Sequence, residues 1–145
     1  MNLLVISSAP ILRRNDAYIA YAPYVREMDI WFEQLESINV VCPSKYSGAL
    51  LTEKFERQDL LIHSVPNLYI GNLKGMLCAL IYIPLVVARL VREMQTADHI
   101  HLRCPGNIGL LGAIVQVFFP KKKKTAKYAG NWDPKAMQPC SYKLQ

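Results

Sequence analysis

The sequence predicts an α/β fold, a doubly wound and mostly parallel sheet of about five strands with helices on both faces. Three observations predict it. Short apolar runs alternate with longer stretches of helical period along the 145 residues. The runs tend to stop at Pro, Gly or Asn, as at Pro10, Pro43, Pro66-Asn67 and Pro105-Gly106-Asn107. The composition, 52% hydrophobic and 19% charged, supplies a core and excludes disorder. No triplet or heptad repeat is present, so collagen and coiled coil are excluded as well.

The elements follow in order. Residues 2–8 form a first strand, a continuous apolar run of the kind buried on both faces. With no basic segment before it and no cleavage site after it, this run does not read as a signal peptide. Residues 10–23 read as a loop carrying Arg13, Arg14, Asn15 and Asp16. A helix over 24–35 places Val25, Met28, Trp31, Phe32 and Leu35 on one face. Residues 38–42 give a second strand, 46–59 a loop with a short helix, and 60–65 a third strand. Residues 73–94 are helical and very apolar. The run 76–88 is too short for a bilayer span of about 20 residues and contains Pro84, so it reads as a core helix with a proline kink. Residues 98–103 give a fourth strand, 108–119 a helix stopped by Pro120, and 125–129 a fifth strand. Residues 141–145 look like the start of another helix, so the chain reads as a piece of a longer protein.

In such a sheet, ligands bind beyond the carboxyl ends of the strands, where the strand order reverses. Three segments are expected there: 9–16, 103–107 and 130–133. In the second, a strand turns into a helix. Helix-start N–H groups with Gly106 permit close approach of an anion, and Arg103 adds a permanent charge. The plain alternative is a turn capped by Asn107. In the third segment, Asn131, Trp132 and Asp133 suit stacking on a sugar or base with hydrogen bonds beside it. In the first, Asp16 can accept a proton from a hydroxyl or simply cap a turn.

The four cysteines, Cys42, Cys78, Cys104 and Cys140, form no C-x-x-C pair and read as reduced, mostly buried thiols of a cytoplasmic protein. His99 and His101 share a sheet face without a third metal ligand at suitable spacing. They read as packed side chains, as does His63. A net charge of +6 with the run Lys121–Lys124 is compatible with contact to an anionic membrane. No nucleic-acid motif accompanies that charge, and no G-x-G-x-x-G follows a strand.

The ordered set Ile6-Ser7-Ser8-Ala9-Pro10, Tyr24-Val25-Arg26-Glu27-Met28, Val41-Cys42-Pro43, residues 98–107 (DHIHLRCPGN) and Lys127-Tyr128-Ala129-Gly130-Asn131-Trp132 resembles the amino-terminal half of bacterial GT-B glycosyltransferases of the family 4 type. The resemblance implies a Rossmann-like acceptor-side domain over 1–145, incomplete, with the donor-binding carboxyl-terminal domain absent. It implies transfer of a sugar from a nucleotide-sugar donor to a glycan or lipid-linked glycan, with no metal and no cofactor beyond that co-substrate. A cytoplasmic enzyme peripheral to the inner face of the cell membrane follows, inactive as the isolated chain. Substrate contact would fall to Arg103, Gly106, Asn107, Asn131, Trp132 and Asp133, and contact with the reacting hydroxyl to Asp16.

Two departures from that family stand out. The loop after the first strand lacks the family's glycine pair. Arg103 also occupies the position of a second histidine, two residues beyond His101. Because arginine stays protonated, Arg103 is assigned to an anion and not to base chemistry. The alternative is a stand-alone flavodoxin-like phosphate- or nucleotide-binding module without catalysis.

Overall fold

The computed structural model describes residues 1–46, 48–69 and 72–129. Its main sheet holds five parallel strands: β1 (Asn2–Ser7), β4 (Ser37–Cys42), β6 (Leu61–Ser64), β7 (His99–Cys104) and β8 (Lys123–Tyr128). Their order is β6-β4-β1-β7-β8. The architecture is therefore the doubly wound, Rossmann-like one. The chain builds outward from β1 to one edge, then crosses over and builds outward to the other.

Strand β1 lies at the centre because its sequence allows nothing else. Leu3 and Val5 enter one core while Leu4 and Ile6 enter the other. All four are buried. Alternate side chains of a strand point to opposite faces, so a run apolar at every position needs a layer on each side.

On the first face lies α1 (Ala22–Phe32), which buries Tyr24, Val25, Met28 and Phe32. Pro23 sits in its first turn, where a missing N–H costs nothing. On the opposite face lie α2 (Leu73–Thr96) and α3 (Asn107–Val115), followed by a short 3-10 turn, Gln116–Phe118. His63 packs between strand and helix, its Nε2 3.1 Å from Asn39 Oδ1 and 3.2 Å from Glu93 of α2.

Two expectations need correction. Residues 10–23 are not a plain loop. They hold β2 (Leu12–Arg14) and β3 (Ala17–Tyr21), which pair antiparallel with each other, and β3 pairs with β5 (Thr52–Lys54). This small sheet covers the first face where a second helix was expected from 46–59. It seals Ile11, Ala20 and Phe55 against α1. The hairpin turns on Asn15 and Asp16, both at positive φ (49° and 58°). That is the two-residue turn whose twist matches paired strands, and Asn and Asp tolerate the conformation better than other non-glycine residues.

Second, the run 76–88 is not a core helix throughout. Ala79 and Val86 are buried, yet Leu77, Leu80, Ile81 and Leu85 are exposed. The helix continues through Pro84. Of the three described cysteines, all free, Cys42 and Cys104 are buried and Cys78 lies exposed on α2, in keeping with mostly buried thiols.

The turn account makes a prediction. Asp16→Gly removes the cost of holding a non-glycine residue at positive φ and loses only an exposed ion pair to Arg13. Urea unfolding of this variant is expected within about 1 kcal/mol of the parent, on the stabilising side. A larger loss would mean that Asp16 does more than shape the turn.

Candidate functional site

The reversal of strand order falls between β1 and β7, so their carboxyl ends separate into a cleft. The cleft has a volume of about 290 Å³ and is lined by Ser7, Ser8, Ala9, Tyr21, Tyr24, Arg103, Cys104, Pro105 and Ala129. A roomier hollow, about 360 Å³, lies past the ends of β4 and β6. It sits at the sheet edge, away from the crossover, and the charged groups discussed below do not line it.

Two of the three expected segments meet at the cleft. The Ile108 N–H of α3 donates to Ser8 Oγ at 3.2 Å, joining the end of β1 to the start of the helix. Gly106 has to be glycine here, because a Cβ at that position would stand 2.2 Å from Ser8 Oγ. The peptide bond between Cys104 and Pro105 is cis. Asn107 does not cap α3. It is the first helical residue, and its amide donates to the Leu68 carbonyl at 2.6 Å, bracing the segment after β6.

Arg103 is the charged centre of the cleft. Its guanidinium lies 2.8 Å from Glu27 of α1 and 4.5 Å from the centre of the Tyr24 ring. The other Glu27 oxygen is 2.8 Å from Lys127 of β8. One carboxylate thus binds α1 to two neighbouring strands. Burial alone would raise the Glu27 pKa, but hydrogen bonds and charge from Lys127 and Arg103 outweigh it and hold the carboxyl below its ordinary range. Two cations against one anion leave the cluster positive. It can hold an anion at the rim while Arg103 stays fixed in direction.

Tyr24 and Cys104 are chemically quiet. Burial, the largest influence on Tyr24, holds its phenol above the ordinary value against the pull of Arg103. Burial also raises the Cys104 thiol, so it stays protonated at neutral pH and is a poor nucleophile.

His99 and His101 share one face, as alternation requires. His101 Nδ1 lies 2.8 Å and His99 Nε2 3.0 Å from the Thr125 hydroxyl. The His101 ring packs on Trp31 with centroids 4.6 Å apart. Burial is the main reason its pKa falls to about 4. Glu27 opposes the shift, while Arg103, His99 and Lys127 add to it. Among the described residues, no group of three His, Cys, Asp or Glu side chains is placed to hold a metal.

Asp16 does not enter the cleft lining. It stands at the tip of the hairpin, exposed, with its carboxylate 2.8 Å from Arg13. Asn131, Trp132 and Asp133 lie outside the described residues. The residues missed from sequence are Glu27, Lys127 and Tyr24. Tyr24 and Glu27 are three apart on α1, which puts them on neighbouring stripes of one helix face. An acid at that spacing beside a buried aromatic was the available signal.

No family model, no curated protein and no solved structure matches the chain.

Two measurements test this cluster. Glu27→Gln keeps the shape and leaves two cations without their counter-charge. It is expected to cost about 1–3 kcal/mol in urea unfolding, and the loss should shrink when Arg103→Met accompanies it. A loss under about 0.5 kcal/mol, typical of exposed ion pairs, would show the bridge to be incidental.

The second is a pH profile. The His101 imidazole titrates near 6.5 when unfolded and near 4 when folded. Between those values the unfolded state binds more protons, so stability falls as pH drops, by up to about 3 kcal/mol. Glu27, depressed in the folded state, adds its loss at lower pH. His101→Gln should flatten the upper part of the profile alone.

Proposed function

We propose that the chain is the acceptor-side domain of a glycosyltransferase, and that the cleft between β1 and β7 receives the anionic part of a substrate. The substrate would be a nucleotide-sugar reacting with a glycan or a lipid-linked glycan. The observation that carries this reading is a fixed arginine at the crossover. Arg103 is aimed by Glu27 and Tyr24, and the amino end of α3 lies beside it.

The roles follow from charge and approach. Arg103 would grip a phosphate or an acidic sugar by two parallel hydrogen bonds, and Lys127 would add charge nearby. Gly106 keeps the backbone close to Ser8, which fixes the rim. A group leaving with negative charge would meet donors already in place, so positioning and charge stabilisation would supply the rate. The reacting sugar would be held largely by the second domain of the full enzyme. The resemblance implies Asp16 for the acceptor hydroxyl, but its place at the hairpin tip, outside the cleft lining, supports a role in shaping that turn.

The second reading is a stand-alone phosphate- or nucleotide-binding module. It is favoured by one observation: residues 7–129 by themselves line a cleft that holds the oriented cation of Arg103.

The two readings differ in what 1–145 does alone. Titration with uridine diphosphate, followed by calorimetry, is expected to show binding that Arg103→Met weakens about tenfold or more and Arg103→Lys weakens less. On the transferase reading, residues 1–145 turn over no nucleotide-sugar, whereas a longer chain with a second such domain does. Turnover by 1–145 alone, or unchanged binding in Arg103→Met, would overturn it.

A further inference from the structure

Charge is divided unevenly along this chain. Residues 73–129 carry nine Lys and Arg against two acids, Glu93 and Asp98, and Glu93 is buried. Residues 1–72 carry six against eight. The net positive charge therefore belongs to the half built from α2, α3, β7 and β8.

The same half exposes most of the large apolar side chains. Leu77, Ile81 and Leu85 follow one another at steps of four along α2, on the side away from buried Ala79, Val86 and Leu90. Ile81 is 74% exposed. Arg92, two turns beyond Leu85, continues the outward stripe. Leu73 and Leu80 widen it, and Tyr69 stands just before it. On α3 and the turn after it, Ile114, Val117 and Phe118 are exposed, Phe118 by 79%. The lysine run borders both helices. Lys122 Nζ donates to the Gln95 and Ala97 carbonyls at the end of α2, and Lys124 Nζ to Gln116 beside Phe118.

We infer that the outer face of α2 and α3 docks on an anionic lipid bilayer, with α2 lying in the interface. An apolar stripe beside clustered Lys and Arg matches acyl chains edged by acidic headgroups. A second copy of the chain would bring the same cations against this face, and the repulsion disfavours a symmetric dimer there. The helix is long and apolar enough to cross a membrane, with a mean hydropathy of 1.8 over an 18-residue window of Gly75–Thr96. Its inner face, however, is committed to the core through Val86, Leu90 and Met94. Crossing would strip that core, whereas lying flat keeps it.

The inference does not use the cleft, so it stands or falls apart from the proposed transfer reaction. The test is flotation of the 1–145 chain with two kinds of vesicle. One is phosphatidylcholine alone, and the other is phosphatidylcholine and phosphatidylglycerol in equal parts. Circular dichroism and elution volume confirm that each variant is folded. Partitioning to the mixed vesicles is expected to exceed that to phosphatidylcholine by about tenfold or more, and to fall with salt. Lys121–Lys124 replaced by Gln should lose about tenfold. Ile81→Asp with Leu85→Asp should lose as much, and Val117→Ser with Phe118→Ser gives an independent check on the second helix. Equal binding to both vesicles would overturn the inference. So would release only by detergent, which marks a spanning helix, or a dimer that Ile81→Asp disperses with no vesicle binding at all.

Discussion

The constraint on which the rest of the structure depends is the complete burial of β1. It pairs in parallel with β4 on one side and β7 on the other, and its apolar residues enter both cores. No edge and no face of it is left for water. A strand with those demands sits at the centre of a sheet, and the chain must leave it in one direction and later return to its other flank. The return leaves a gap between the ends of β1 and β7, because the two connections depart to opposite faces. The cleft is thus a consequence of where the most apolar strand had to go.

Charge then fixes the cleft's chemistry. Arg103 is one residue short of the end of β7, mostly buried, and a cation there needs a partner. Glu27 supplies it from α1 and shares itself with Lys127. The same bridge holds α1 against β7 and β8, beside the packing of Trp31 on His101 and of Tyr24 on Arg103. The packing of α1 and the positive charge of the cleft therefore rest on the same three side chains. The face opposite carries a different logic. There α2 is longer than the sheet it covers, and its outward apolar residues meet no protein among the described residues.

How much was legible depended on whether the signal was local. Strands β1 and β4 were visible because buried parallel strands are continuous apolar runs, and the ends of all five main strands lie within a residue or two of those expected. Strand β8 begins inside the lysine run, two residues before the expected start. The small sheet was invisible. Its strands are three to five residues long, and β2 and β5 are Leu-Arg-Arg and Thr-Glu-Lys, with no apolar run to announce them. Asn15-Asp16 is the one local sign of a hairpin, and the same pair suits a polar loop equally. The 76–88 run shows the reverse error. Apolar composition does not by itself mean burial: among the described residues, the face of α2 that meets the core runs through Ala79, Val86, Leu90 and Met94.

The sequence by itself determined the α/β class, the order of the main elements, the strand-to-helix turn at 103–107 and the split of charge between the two halves. Each is a property of neighbouring residues, set by side-chain period, backbone preference or composition. Only the tertiary structure decided that Ser8 would hold the start of α3 from one hundred positions away, that Glu27 would lie between Arg103 and Lys127, and that Asp16 would stand at the tip of a hairpin. Those outcomes depend on strand order and on how a helix settles across a sheet. They are fixed by the packing of distant surfaces, which no local pattern records.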